Sequence, residues 1–207
     1  MDILNQCAFR MKYCAIVCGI TVLLFFSPPV LSLLRNFLTI HIPVKDPDIL
    51  VVEAWASPNT FLKAAHLFST GSVARVVVCG VAKEKNVENN RENVRYLTEN
   101  GVPAEMVTVL VDTIRGLHRT LTSARLFCSW LDTSGYEQPK VQIVTLGAHA
   151  RKTWVIYKRV LGKSVERGIV PVAESYGKLN SIKRYVRYWR YILKQFFGWL
   201  YACIWPV

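Results

Sequence analysis

Residues 48–80 read DILVVEAWASPNTFLKAAHLFSTGSVARVVVCG, and this stretch decides the fold. Ile49-Leu50-Val51-Val52 is a short, wholly apolar and largely β-branched run, the pattern of a strand buried on both faces. Ser57-Pro58 follows, an N-cap with proline at the first helical position, and the helix it opens closes near Gly71. Arg75-Val76-Val77-Val78-Cys79 is then a second buried strand, ending at Gly80. A strand-helix-strand step of this length makes a right-handed crossover between parallel strands.

The unit recurs downstream. A helix from about Glu88 to Asn100 is stopped by Gly101-Val102-Pro103, a helix-ending glycine with a proline just beyond. Met106 to Val111 reads as a third strand, Thr120 to Leu131 as a helix, Val141 to Thr145 as a fourth strand, Ala148 to Leu161 as a helix ending at Gly162, and Val165 to Val172 as a fifth strand. The expected architecture is a three-layer, Rossmann-like α/β domain over residues 48–174 with a mainly parallel sheet. Ligands of such folds bind at the carboxyl ends of the strands. The loops Glu53 to Ser57, Gly80 to Glu88, Asp112 to Thr120 and Thr145 to Lys152 are therefore expected to share one rim.

The flanks carry the unusual composition. The 207 residues include 26 Lys or Arg and 14 Asp or Glu, a formal net charge of +12, and 52% are hydrophobic. That excludes a disordered or low-complexity chain and points to a polyanionic partner, either nucleic acid or an anionic membrane. After a basic tail, residues 1–12, Tyr13 to Leu34 runs without a charge for long enough to cross a bilayer, and reads as a transmembrane span. Pro28 and Pro29 would kink that span or end a shorter helix near Phe26. Arg10 and Lys12 before it, against Arg35 closely after, favour the amino terminus inside and the rest of the chain outside the cytoplasm. Residues 35–47 form a tether.

Residues 175–207 carry Lys178, Lys183, Arg184, Arg187, Arg190 and Lys194 and no acidic residue. At 100° per residue, Leu179, Ile182, Val186, Trp189, Leu193, Phe196 and Leu200 share one sector, beside Lys183, Arg187, Arg190 and Lys194 in a second. A basic, aromatic amphipathic helix of this kind suits a bilayer interface, and packing on its own domain is the plain alternative. The span, and the lack of any zinc-finger, RNP-like or recognition-helix signature, argue against nucleic acid. The six cysteines show no metal-ligand spacing, and no cofactor motif (Walker loop, G-x-G-x-x-G or nucleophile elbow) occurs.

Two rim motifs carry chemistry. Val144 to Lys152 takes a strand through Gly147 into a helix start, where free N–H groups favour an anion, with His149, Arg151 and Lys152 close by. Arg115 to Ala124 is a basic loop entering a helix whose Thr120, Thr122 and Ser123 offer hydroxyls, with Arg119 as a bidentate donor and His118 beside it. Glu53, ending the first strand, is the candidate base with His149, and either motif can instead be a cap with solvated cations. The expected phosphate-binding set is Gly80, His118, Arg119, Thr120, Ser123, Thr145, His149, Arg151 and Lys152, with no metal.

Asp48-Ile49-Leu50-Val51-Val52, the single glycine of Cys79-Gly80-Val81, Gly101-Val102-Pro103, Thr120 with Ser123-Ala124, and Val144-Thr145 with His149 and Lys152 occur in an order that resembles the bacterial SanA/YdcF/ElyC-like family, over residues 46–172. Glu53-Ala54-Trp55 replaces that family's glycine-rich end of the first strand. The resemblance implies one N-terminal span in the bacterial plasma membrane, an extracytoplasmic domain, and a link to peptidoglycan or lipid-carrier metabolism. The expected function is binding of a phosphorylated or pyrophosphorylated envelope precursor such as a polyprenyl phosphate, with the bilayer as partner. The rivals are a non-catalytic membrane scaffold and a nucleotide- or S-adenosylmethionine-binding domain.

Overall fold

The computed structural model describes residues 27–81, 84–112, 119–174 and 181–204. Five strands, β1 Ile49–Glu53, β2 Arg75–Val81, β3 Val107–Asp112, β4 Lys140–Leu146 and β5 Glu166–Val172, form one sheet in the order β3-β2-β1-β4-β5. All four pairings are parallel. The helices are α1 Pro28–Leu38, α2 Pro58–Thr70, α3 Glu84–Glu99, α4 Arg119–Thr133, α5 Ala150–Val160 and α6 Ile182–Ile204. The Rossmann-like parallel α/β reading is therefore correct, with boundaries moved by a few residues. The helix expected from Ala148 starts with a 3-10 turn, Gly147–His149, and the helix expected from Glu88 starts at Glu84.

Period-two alternation sorts the strands between two apolar layers. Leu50 and Val52 face the layer of Phe61, Ala64, Ala65 and Leu97, under α2 and α3. Ile49 and Val51 face the layer of Ala124, Phe127, Ile156 and Tyr157, under α4 and α5. Glu53, two residues after Val51, follows the second alternation, so a carboxyl enters an apolar layer and is fully buried. The end of α3 explains the Gly-Val-Pro signal. Gly101 has φ +91°, its N–H bonds to Thr98 O at 3.1 Å, and Val102 N–H bonds to Leu97 O at 3.1 Å. This is the double bond of a Schellman cap, with Val102 and Leu97 buried together beneath it.

The flanks depart from expectation. Residues 28–34, assigned above to the end of the span, lie in α1, which starts at Ser27 with proline in its first turn and packs on α6 through Leu31 and Leu38. Residues 13–26 lie outside the described residues. No helix among the described residues is long and apolar enough to cross a membrane. Residues 35–47 are not a free tether. Ile42 forms an antiparallel bridge with Ile169, closing the outer edge of β5, and Gly168 is required there because a Cβ would overlap the Ile42 carbonyl.

α6 is the long helix expected at the carboxyl end, and its docked face coincides with the expected sector only in part: Trp189 is buried and Leu193 and Phe196 pack beside it. Tyr188, Trp189, Ile192, Gln195 and Ala202 are buried, while Ile182, Val186 and Leu200 of the expected apolar sector are exposed. Both faces of this helix are apolar, so periodicity alone did not say which one meets the domain. Its end is tied by Arg159, whose guanidinium donates to the Ala202 and Cys203 carbonyls, the favoured place for a cation on a helix dipole.

Candidate functional site

The strand order reverses between β1 and β4, and the crevice at the carboxyl ends of those two strands is the usual ligand position of a parallel sheet. Glu53 ends β1 and Thr145 lies at the end of β4. Thr145 donates its hydroxyl to Glu53 Oε2 at 3.3 Å, and Thr153, one turn into α5, donates to the same oxygen at 3.5 Å. His149 Nε2 is 3.5 Å from that oxygen too, which settles a proximity that sequence left open. Glu53 Oε1 makes no hydrogen bond.

His149 is held from both sides. Gln195 of α6 presents its amide oxygen 2.7 Å from Nδ1, which places the ring proton on Nδ1. Nε2 is then an acceptor, and the Thr120 hydroxyl at 3.2 Å donates to it. The Trp55 indole meets the imidazole edge to face at 4.6 Å between centroids, and the Arg119 guanidinium lies over the Trp55 ring at 5.6 Å. Asn93 fixes the loop carrying Trp55 by donating to Ala54 O at 2.7 Å.

Burial inverts the usual protonation of the pair. It pushes the Glu53 carboxyl up to about 7, although Thr120, the Lys152 charge, Thr145 and Trp55 pull in the other direction. Trp55 is thus close enough to favour the carboxylate, yet its N–H closes no hydrogen bond. Burial also takes His149 down to about 3; the Gln195 bond opposes this, and the charges of Lys152, Arg119 and Lys194 reinforce it. Glu53, not His149, is therefore the group that exchanges a proton near neutrality. Lys152 is half-buried and its pKa is lowered, first by burial, with Glu53 opposing and Arg119 and Lys194 adding to the effect. Its stem crosses α6 at Gly198, where a Cβ would stand 3.3 Å from Lys152 Cδ.

Two expected residues are placed elsewhere. Arg151 donates from Nε to the Phe37 carbonyl and lies over the Phe37 ring at 4.1 Å, so it anchors α1 and does not join the cluster. Gly80 is packed against the chain: a Cβ there would be 2.6 Å from Ala54 Cβ, so its smallness lets the turn after β1 approach β2 closely. Ser123 is buried near the rim with its hydroxyl unpaired, and His118 lies outside the described residues.

The helix start at Gly147 does take an anion, but the chain supplies it. Glu174, just after β5, accepts from Ala148 N–H at 2.6 Å and from the Tyr191 hydroxyl at 3.3 Å, and lies 3.6 Å from Arg35 Nε. A Cβ at Gly147 would be 2.7 Å from its Oε1, so glycine makes room for the carboxylate. Sequence reasoning missed Glu174, Trp55, Thr153, Lys194 and Gln195. Gln195 had a signal, being an uncharged polar residue among aromatics on α6, where burial demands a partner.

Among the described residues no cluster of His, Cys, Asp and Glu is suited to a metal ion. Comparison with protein-family models, with curated proteins and with solved structures yields no match for this chain.

Proposed function

We propose that this protein is a membrane-associated binder of a phosphorylated or pyrophosphorylated ligand, seated at the β1/β4 crevice among Arg119, Lys152 and Lys194. One observation carries the reading. Three cations act on a single buried imidazole, and none of them makes an ion pair with a carboxylate among the described residues. Glu53, titrating at about 7, is only partly ionised at neutral pH and offsets a fraction of one charge. An anion of two or more charges completes such a site, and phosphate geometry suits the arginine fork and the two ammonium groups. The Glu174 carboxylate already fills the Gly147 helix start, so the ligand's seat is displaced from the one expected, toward α4 and α6.

On this reading Glu53, held by Thr145, is the acid or base of any proton transfer, and Thr120 and Gln195 set the orientation of His149. The family resemblance favours a polyprenyl-linked envelope precursor as ligand and an extracytoplasmic domain at the bacterial plasma membrane. The test is titration of the full chain in mild detergent with pyrophosphate and with a short polyprenyl phosphate. Each charge-assisted contact contributes ~1.5–3 kcal/mol, so Arg119→Ala and Lys152→Ala each weaken binding by about 10-fold or more with the fold retained. A folded protein with no affinity for either probe overturns the reading. That result favours a non-catalytic scaffold, for which the near-complete burial of His149 and Thr120 speaks.

A further inference from the structure

We infer that the outward face of α6 lies flat on an anionic lipid bilayer. This inference stands on the surface of α6 and does not depend on the ligand reading. The inner face of the helix is used up by the domain, through Tyr188, Trp189, Ile192, Gln195 and Ala202. The outer face is also apolar. Ile182 is 80% exposed, Val186 52%, Phe197 62% and Ile204 72%, with Leu200 exposed between them. At 3.6 residues per turn these five fall in a sector about 60° wide, running the ~33 Å length of the helix. Lys183, Arg187 and Arg190 occupy the adjoining sector, from about 80° to 140° around from Ile182. No acidic residue follows Glu174 in the chain.

The charge pattern chooses the occupant. A narrow apolar stripe bordered on one side by a row of cations matches acyl chains bordered by anionic headgroups. A second copy of the chain would bring two such helices together with no acidic residue on either to offset the cation rows. Tyr201, 42% exposed, adds an amphipathic ring at the margin. α1 packs against α6 and exposes Leu33, and its first seven residues carry no charge.

The test uses the full chain reconstituted into vesicles of phosphatidylcholine, alone or mixed with phosphatidylglycerol. A genetically encoded environment-sensitive fluorophore is placed at Phe197, and in a control protein at Lys163, which lies on the exposed turn after α5. With spin-labelled acyl chains in the bilayer, the label at 197 is quenched in anionic vesicles and the label at 163 is not. Removing two cations by Arg187→Gln and Arg190→Gln lowers the partition of this face by about 25-fold, at about 5-fold for each cation, so quenching in anionic vesicles falls to the level in phosphatidylcholine alone. Both substituted side chains are exposed, and an unchanged far-ultraviolet spectrum verifies the fold. Absence of quenching at 197 in every vesicle overturns the inference. So does quenching that is equal with and without phosphatidylglycerol, or a photo-crosslink from position 197 to residues 13–26, which would make that segment the occupant.

Discussion

Replacing Glu53 by glutamine tests the electrostatics of the site without emptying it. The amide keeps the shape and still accepts from Thr145 and Thr153, but it removes a group that titrates. In the folded chain the carboxyl titrates at about 7, against 4.5 when unfolded. As pH rises above 4.5 the unfolded chain releases its proton first, so folding loses free energy until about pH 7, in all ~3 kcal/mol. His149 has the opposite sign. Its folded value is about 3 against 6.5, so the unfolded chain takes up a proton as pH falls through 6.5, and folding loses up to ~5 kcal/mol by pH 3. Between pH 4.5 and 6.5 the two slopes cancel in the native protein. Glu53→Gln unmasks the histidine limb. The stability difference, variant minus native, rises by ~3 kcal/mol from pH 4.5 to pH 8, with the variant the more stable at the alkaline end. Urea denaturation of the full chain in mild detergent, followed by tryptophan fluorescence across that range, measures it. A difference that stays flat with pH refutes a buried carboxyl titrating near neutrality.

Other perturbations follow from the same geometry. Glu174→Ala removes the partner of Ala148 N–H, the Tyr191 hydroxyl and Arg35, and costs ~2–3 kcal/mol by chemical denaturation, with faster hydrogen exchange in α1 and α6. Gly101→Ala forces a side chain into the left-handed region at φ +91° and lowers stability by ~1 kcal/mol, measurable as a lower melting temperature with the far-ultraviolet spectrum unchanged.

The sheet was legible because its first two strands are apolar runs and the helices between strands carry explicit start and stop signals, as at Ser57-Pro58 and Gly101-Val102-Pro103. Glu53 and His149 were legible for a related reason: each interrupts or ends an apolar pattern at the edge the topology reserves for ligands. The remainder of the site was not, because it comes from elements whose docking periodicity does not specify. Gln195 faces His149 only because α6 turns its Tyr188-Ile192-Gln195 face inward and leaves Ile182 and Val186 outside. Arg151 and Lys152 are adjacent in sequence and about 100° apart on a helix. One therefore goes to Phe37 and the other to the crevice, a division that a motif of consecutive basic residues conceals. The helix start at Gly147, expected to receive a ligand's phosphate, is met by a carboxylate of the chain itself. The source of that carboxylate, the single acidic residue after β5, was visible only once β5 was seen to lie beside β4.

The contact between His149 and Gln195 joins residues 46 positions apart, and this orders events during synthesis. At roughly 5–20 residues per second, α6 follows His149 by several seconds, long enough for the five strands to assemble. A chain in which α6 is undocked can pair β1 with β4, but its imidazole has no amide partner. For His149, whose Nδ1 faces Gln195, burial is complete only with the last helix in place. α1, made before the sheet, packs on α6, made after it, so the first and last helices of the described chain are completed together, in the step that seals the site.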